Sequence, residues 1–282
     1  MSLVPTGDLV AQAATERSCV TAFNVITLEH AEGIVTGAEA ADRPVILQIS
    51  ENAVRYHGGR LAPLALAAAS VARSGTVHVA LHLDHVTDVD LLHQAADAGF
   101  SSVMFDAGAL PYAENVAATA SAARWAHGAG LWLEAELGYV GGKPGSPASA
   151  HAAGVRTDPA EAADYVTRTG VDALAVAVGS SHAMTEQSAT LDHALIERLR
   201  ETVPVPLVLH GSSGVPDGEL RTAVRTGIVK INIGTALNIS LTRAVRDTLE
   251  SMPALTDPRK YLGPARDAVA TTVRNVLTML AS

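Results

Sequence analysis

Cysteine is nearly absent from this chain. Cys19 stands alone, which excludes an internal disulfide and any zinc site built from several thiolates. Beside an apolar run, such a thiol reads as a core residue rather than a nucleophile. Aromatic residues are scarce at 4%, so Ala, Val and Leu must fill whatever core forms. Basic charge is also in deficit, with 20 Lys and Arg against 29 Asp and Glu and a formal charge of −9. With no basic run to neutralise a phosphate backbone, nucleic acid is excluded as a partner. Any bound phosphate has to be gripped locally, by backbone amides or a single arginine. The longest near-apolar stretch, LAPLALAAASVA (61–72), is too short to span a bilayer, so no membrane partner is expected. The opening residues MSLVPTGDLVAQAATER lack the basic start and apolar core of a signal peptide. The expected location is cytoplasmic.

Short runs rich in Val, Ile and Leu recur at 19–25, 44–50, 77–85, 101–106, 131–137, 171–179, 205–211 and 227–233. Between them lie helical stretches, among them 28–41, 87–98, 112–128, 159–169, 192–202, 216–225 and 236–250. Continuous apolar strands alternating with helices predict a parallel sheet covered by helices. Eight such units predict a (βα)₈ TIM barrel forming one domain over 1–282. An open doubly wound sheet is the alternative, weakened because no G-x-G-x-x-G follows the first strand. One connection breaks the rhythm: GYVGGKPGSPASAHAAGVRTDP (138–159) is dense in Gly, Pro, Ala and Ser. After a fifth strand it would lie on the C-terminal face, where barrel active sites are built, and reads as a mobile loop at about 138–158. A tolerated surface insertion is the plainer alternative.

Polar residues cluster where barrel strands end. The third run ends His82-Leu83-Asp84-His85, the sixth leads into Gly179-Ser180-Ser181-His182, and the seventh ends His210-Gly211. Three neutral imidazoles converging on a barrel mouth, with a fourth position open, suit a catalytic zinc site. Spacing alone leaves a simple hydrogen-bonding role equally open. Asp106 ends the fourth run, while Glu134 and Glu136 share one face of the fifth. Inward acids are costly unless paired or ligating; either could instead pair with an arginine or lie outward under the helices. Asp84, next to a candidate ligand, is suited to proton transfer. Gly211-Ser212-Ser213-Gly214 and Asn232-Ile233-Gly234-Thr235 follow the seventh and eighth runs and open onto helices. Those are the loops in which barrels hold phosphate, with helix N-terminal amides facing the anion.

At these residues the sequence resembles the class II fructose-bisphosphate/tagatose-bisphosphate aldolase family along nearly its whole length. AFNV (22–25), VILQIS (45–50), HLDHV (82–86), GFSSVMFDAG (99–108), LEAELG…GG (133–142), GVDALAVAVGSSH (170–182), VPLVLHGSSGVP (205–216), KINIGTAL (230–237) and DPRKYLGPAR (257–266) match its pattern in order. The resemblance implies a zinc-dependent lyase that reversibly cleaves a phosphorylated ketose to dihydroxyacetone phosphate and an aldehyde. It implies His85, His182 and His210 as Zn²⁺ ligands, Asp84 as the proton-transfer group, and Asp106 and Glu136 at an alternative metal position. A second divalent or a monovalent cation is a further implied ligand. Asn24, Ser50, Gly211, Ser212, Ser213, Asn232, Ile233, Gly234 and Thr235 would line the site for the sugar phosphate. Glu134 receives no role. A homodimer or homotetramer is expected on the same ground. A Schiff-base aldolase would instead need an amine in the barrel; of the three lysines, Lys143, Lys230 and Lys260, only Lys230 lies on a strand.

The chain also departs from the family pattern. After Gly141-Gly142 the family continues into an acidic stretch with a proton-transferring glutamate. Here Lys143-Pro144-Gly145-Ser146 follows, and no carboxylate appears before Asp158. His151 on the same loop is the candidate substitute. Ala183 stands where the family favours glycine, and Gly234 and Ala236 where it often carries polar or acidic residues. The alternative reading is therefore a diverged relative that binds metal and sugar phosphate with altered substrate or little catalysis. A barrel metallohydrolase is a third reading, disfavoured because a metal-bound hydroxide needs no phosphate loops.

Overall fold

The computed structural model describes residues 2–140 and 156–281. Eight parallel strands close into a barrel in chain order: β1 (Val20–Asn24), β2 (Val45–Ser50), β3 (Val79–Val86), β4 (Ser102–Phe105), β5 (Trp132–Leu137), β6 (Ala173–Val176), β7 (Leu207–Leu209) and β8 (Ile228–Ile233). Closure is made where β1 pairs with β8, Ala22 lying beside Asn232. The eight apolar runs and the (βα)₈ barrel are thus as the sequence predicts.

The helices are α1 (Thr6–Thr15), α2 (Leu28–Ala41), α3 (Glu51–Tyr56), α4 (Leu61–Ser74), α5 (Val89–Leu92), α6 (Tyr112–Gly128), α7 (Pro159–Thr169), α8 (His193–Thr202), α9 (Asp217–Thr226), α10 (Thr235–Ser251) and α11 (Arg259–Ala281). The stretch expected to be helical over 87–98 forms only the short α5. Local capping chemistry sets the bounds of α7 well. Asp158 accepts from the amides of Ala160 and Glu161, Pro159 follows at the first helical position, and Gly170 ends the helix at φ +71°. Of the anticipated loop at 138–158, residues 141–155 lie outside the described residues.

Outward strand faces carry the large side chains. Phe23, Leu47, Leu83, Leu133, Leu174 and Leu209 are fully buried against the helical layer. Inside the barrel the N-terminal end is closed by small residues and by α1, whose Leu9, Val10 and Ala13 pack on Val20, Ala22, Ile46 and Ala80. Burying apolar area on both faces of the sheet is what stabilises a parallel barrel. The open cavity lies at the C-terminal end of the barrel. Cys19 packs at the edge of this core, and burial pushes its thiol up to about 12. It is no nucleophile at neutral pH. Among the described residues no helix is long and apolar enough to cross a membrane.

Candidate active site

On a regular strand, Asp84 and His85 would point to opposite faces of the sheet. Here His85 adopts φ +49° and the β3–β4 register shifts between Leu83 and Val86. The break lets both side chains line the cavity at the C-terminal mouth. A left-handed non-glycine residue costs roughly 1–2 kcal/mol, and such strain persists where surrounding structure holds it. Asp84, only 2% exposed, is held from the neighbouring strand. Gln48 donates from Nε2 to Asp84 Oδ2 and to Asn24 Oδ1, each at 3.0 Å.

His85 at the end of β3, His182 in the loop after β6 and His210 just past β7 come together in one cluster. Their ring centroids are separated by 5.2 Å (His85–His182), 4.9 Å (His85–His210) and 5.8 Å (His182–His210). One ligand atom from each, together with a carboxylate oxygen of Glu136, lies within 4.8 Å of all the others. Nδ1 of His210 is 3.1 Å from Nε2 of His85 and 3.7 Å from Oε2 of Glu136. Four such donors could hold a divalent ion. Asp106 lies outside this set, with Oδ2 3.1 Å from Nδ1 of His85 and Oδ1 accepting the Gly108 amide.

Glu134 shares the inward face of β5 with Glu136 but approaches His210 from the other side, Oε1 lying 2.8 Å from Nε2. Its second oxygen is 2.9 Å from Nζ of Lys230, which also donates to Asn232 Oδ1 at 2.7 Å. Deeper still, His82 is fully buried with Nδ1 2.8 Å from Ser102 Oγ. Burial, reinforced by the Lys230 charge, holds its pKa well below the usual imidazole range. It is therefore a neutral structural residue.

Next to the histidines, part of the wall is backbone. Gly211 sits at φ +67°, and a Cβ there would lie 2.6 Å from the Ser181 carbonyl carbon and oxygen. Only glycine fits both the conformation and the approach. One 3₁₀ turn follows (Ser212–Gly214), and Ser213 Oγ accepts the amide of Ala236 in the first turn of α10. The cavity encloses about 650 Å³. Asn24, Ser50, Asp84, His85, Asp106, His182 and His210 line it, as do Gly211, Ser212, Ser213, Asn232, Gly234 and Thr235. Ile233 does not. Strand alternation turns its side chain outward into the hydrophobic core. Lys143 and His151 fall outside the described residues.

Gln48, Glu134 and Lys230 are among the polar residues whose place at the site the sequence reading left open, as are Glu51, Asn52, Arg55, Thr87 and Asn238, which line the cavity. A glutamine and a lysine inside apolar strand runs are themselves a signal, since burying such groups is costly unless they are partnered.

Residues 4–282 match the family described as Fructose-bisphosphate aldolase class-II. A fructose-bisphosphate aldolase of Geobacillus stearothermophilus is 39% identical over 274 residues, covering 97% of this chain and 95% of the relative. A probable fructose-bisphosphate aldolase of Bacillus subtilis is 40% identical over the same shares. Among solved structures, the YdjI aldolase of Escherichia coli K12 superposes with a TM-score of 0.86 at 32% identity, covering 99% of this chain and 98% of its own.

Proposed function

This chain belongs to the class-II fructose-bisphosphate aldolase family and is an aldehyde-lyase, and from that premise we propose that it is a zinc-dependent enzyme cleaving a ketose bisphosphate of the fructose- or tagatose-1,6 type. The products are dihydroxyacetone phosphate and an aldehyde. The observation that carries the reading is the convergence of His85, His182, His210 and Glu136 donors beside a cavity whose lining includes a phosphate-type loop. Three imidazoles and a carboxylate are donors of the kind that zinc takes, and their ligand atoms all lie within 4.8 Å of one another, so the donor set fits the ion.

His85, His182 and His210 would hold the metal, with Glu136 and Asp106 available at an alternative or second cation position. When bound, the metal supplies a Lewis acid for the ketose carbonyl. Asp84 takes the proton from the hydroxyl on the carbon that becomes the aldehyde. As the bond from that carbon to the ketose fragment breaks, its electron pair passes to the ketose-derived fragment, which then takes a proton at carbon from solvent, and Asp84 returns its own proton to solvent. Gly211, Ser212, Ser213, Gly234 and Thr235 grip the phosphate through backbone amides and hydroxyls near the N-terminus of α10, while Asn24, Ser50 and Asn232 contact the sugar hydroxyls. Lys230 is fully buried and engaged with Glu134 and Asn232, which disfavours a Schiff base. We further propose that the protein works in the cytoplasm as a homodimer or homotetramer.

The test is retro-aldol cleavage of fructose-1,6- and tagatose-1,6-bisphosphate by the purified protein, with and without a chelator. Chelator-sensitive release of triose phosphate is expected. Full metal occupancy without turnover across a ketose panel would favour a metal- and sugar-phosphate-binding relative instead, a reading supported by the absence of any carboxylate between Leu137 and Arg156. Borohydride with substrate should leave no adduct on Lys230.

A further inference from the structure

We propose that Glu134 and Lys230 act together as positioning residues that select which nitrogen of His210 carries the lone pair that would ligate; the inference rests on the metal reading above. A neutral imidazole carries one N–H, and its two nitrogens then play opposite roles. Among the described residues, Nε2 of His210 has two competing neighbours. Glu134 Oε1, at 2.8 Å, only accepts. Asn232 Nδ2, at 3.0 Å, only donates. The first partner requires hydrogen on Nε2 and leaves a lone pair on Nδ1, the nitrogen facing His85 Nε2 and Glu136. The second requires hydrogen on Nδ1, which would point an N–H into the ligand cluster.

Lys230 decides the contest. Its Nζ lies 2.9 Å from Glu134 Oε2 and 2.7 Å from Asn232 Oδ1, pinning both competitors while His210, Glu134 and Lys230 are fully buried. A hydrogen bond to a carboxylate is about twice as strong as one between neutral groups, so Glu134 prevails and Nδ1 becomes the ligating nitrogen. The Asn232 amide is then left for the ligand of the cavity it lines. Partners of this kind typically alter metal affinity about 10–100-fold when removed.

Glu134→Gln makes the idea falsifiable because the geometry gives it a specific consequence. Next to an ammonium that only donates, the new amide must turn its oxygen to Lys230 and its NH₂ to His210, driving hydrogen onto Nδ1. The readout is the ¹⁵N–¹H imidazole spectrum of metal-free protein, with the His210 signals assigned by their loss in His210→Ala. Expected are Nε2–H in the wild type, Nδ1–H in Glu134→Gln, and a return to Nε2–H in Glu134→Gln/Lys230→Met, where the amide is free to rotate. Zn²⁺ affinity by chelator competition should fall about 10–100-fold in the single variant and recover in the double. Nδ1–H in the wild type, or Nε2–H in a folded Glu134→Gln, overturns the proposal. Should Glu134→Gln not fold, the wild-type spectrum still decides. A wild type with the expected tautomer but no affinity for Zn²⁺ would overturn the metal reading, and with it the ligand-selecting role.

Discussion

Nε2 of His85 and Nδ1 of His210 stand 3.1 Å apart although 125 residues separate them in the chain. Nδ1 of His85 faces Asp106 and Nε2 of His210 faces Glu134. The two rings thus turn one nitrogen each toward a carboxylate and the other toward a common point. Replacing His85, His182 or His210 by Ala removes one of three imidazole donors. Each variant should lose stoichiometric zinc after dialysis against a weak chelator, as read by elemental analysis. Retention of full zinc by all three would remove these residues from the metal site.

Asp84→Asn keeps the shape of the side chain and an acceptor for Gln48 while removing proton-transfer capacity. Turnover should fall about 10²–10⁴-fold, the usual contribution of general acid–base catalysis. Zinc content should not change and KM should move little. Steady-state kinetics with a coupled triose-phosphate assay separates the two parameters, and an unaltered kcat would assign the proton transfer elsewhere.

Two left-handed positions beside the cavity call for opposite outcomes. Gly211→Ala adds a Cβ against the Ser181 backbone at φ +67° and should destabilise the protein by about 1–3 kcal/mol, with a raised KM for the phosphorylated ketose. Ala183 holds φ +58° with its methyl group, so Ala183→Gly should be neutral or stabilising by up to about 1 kcal/mol. Denaturant midpoints measure both. Equal effects of like sign would show that backbone strain is not what distinguishes the two sites.

His82 makes stability depend on pH. Its folded pKa is depressed by burial and by Lys230, whereas the unfolded chain titrates near about 6.5. Below that value the unfolded state binds more protons than the folded one. The stabilisation is therefore complete above about pH 6.5 and is lost as pH falls toward the depressed folded value. Urea midpoints at about pH 7.5 and about pH 5.5 should differ more in the wild type than in His82→Gln. The same slope in both would transfer the effect to other groups.

Much of this molecule is local information. The eight strand runs, the capped ends of α7, and the histidines at the ends of β3 and β7 and after β6 are written in residue order, because apolar periodicity and turn chemistry act within a few residues. Period-two alternation also correctly put Glu134 and Glu136 on one face. What alternation could not decide is where it breaks. The left-handed turn at His85 and the register shift after Leu83 turn two adjacent residues into one cavity, while unbroken alternation sends Ile233 outward. Nor could spacing tell that Glu136 joins the histidine cluster while Glu134 meets His210 from behind, or that Lys230 is spent on an ion pair. Those relationships join residues from different strands across the barrel interior. Only closing the sheet brings them within hydrogen-bonding distance, and burial then makes each partnership obligatory.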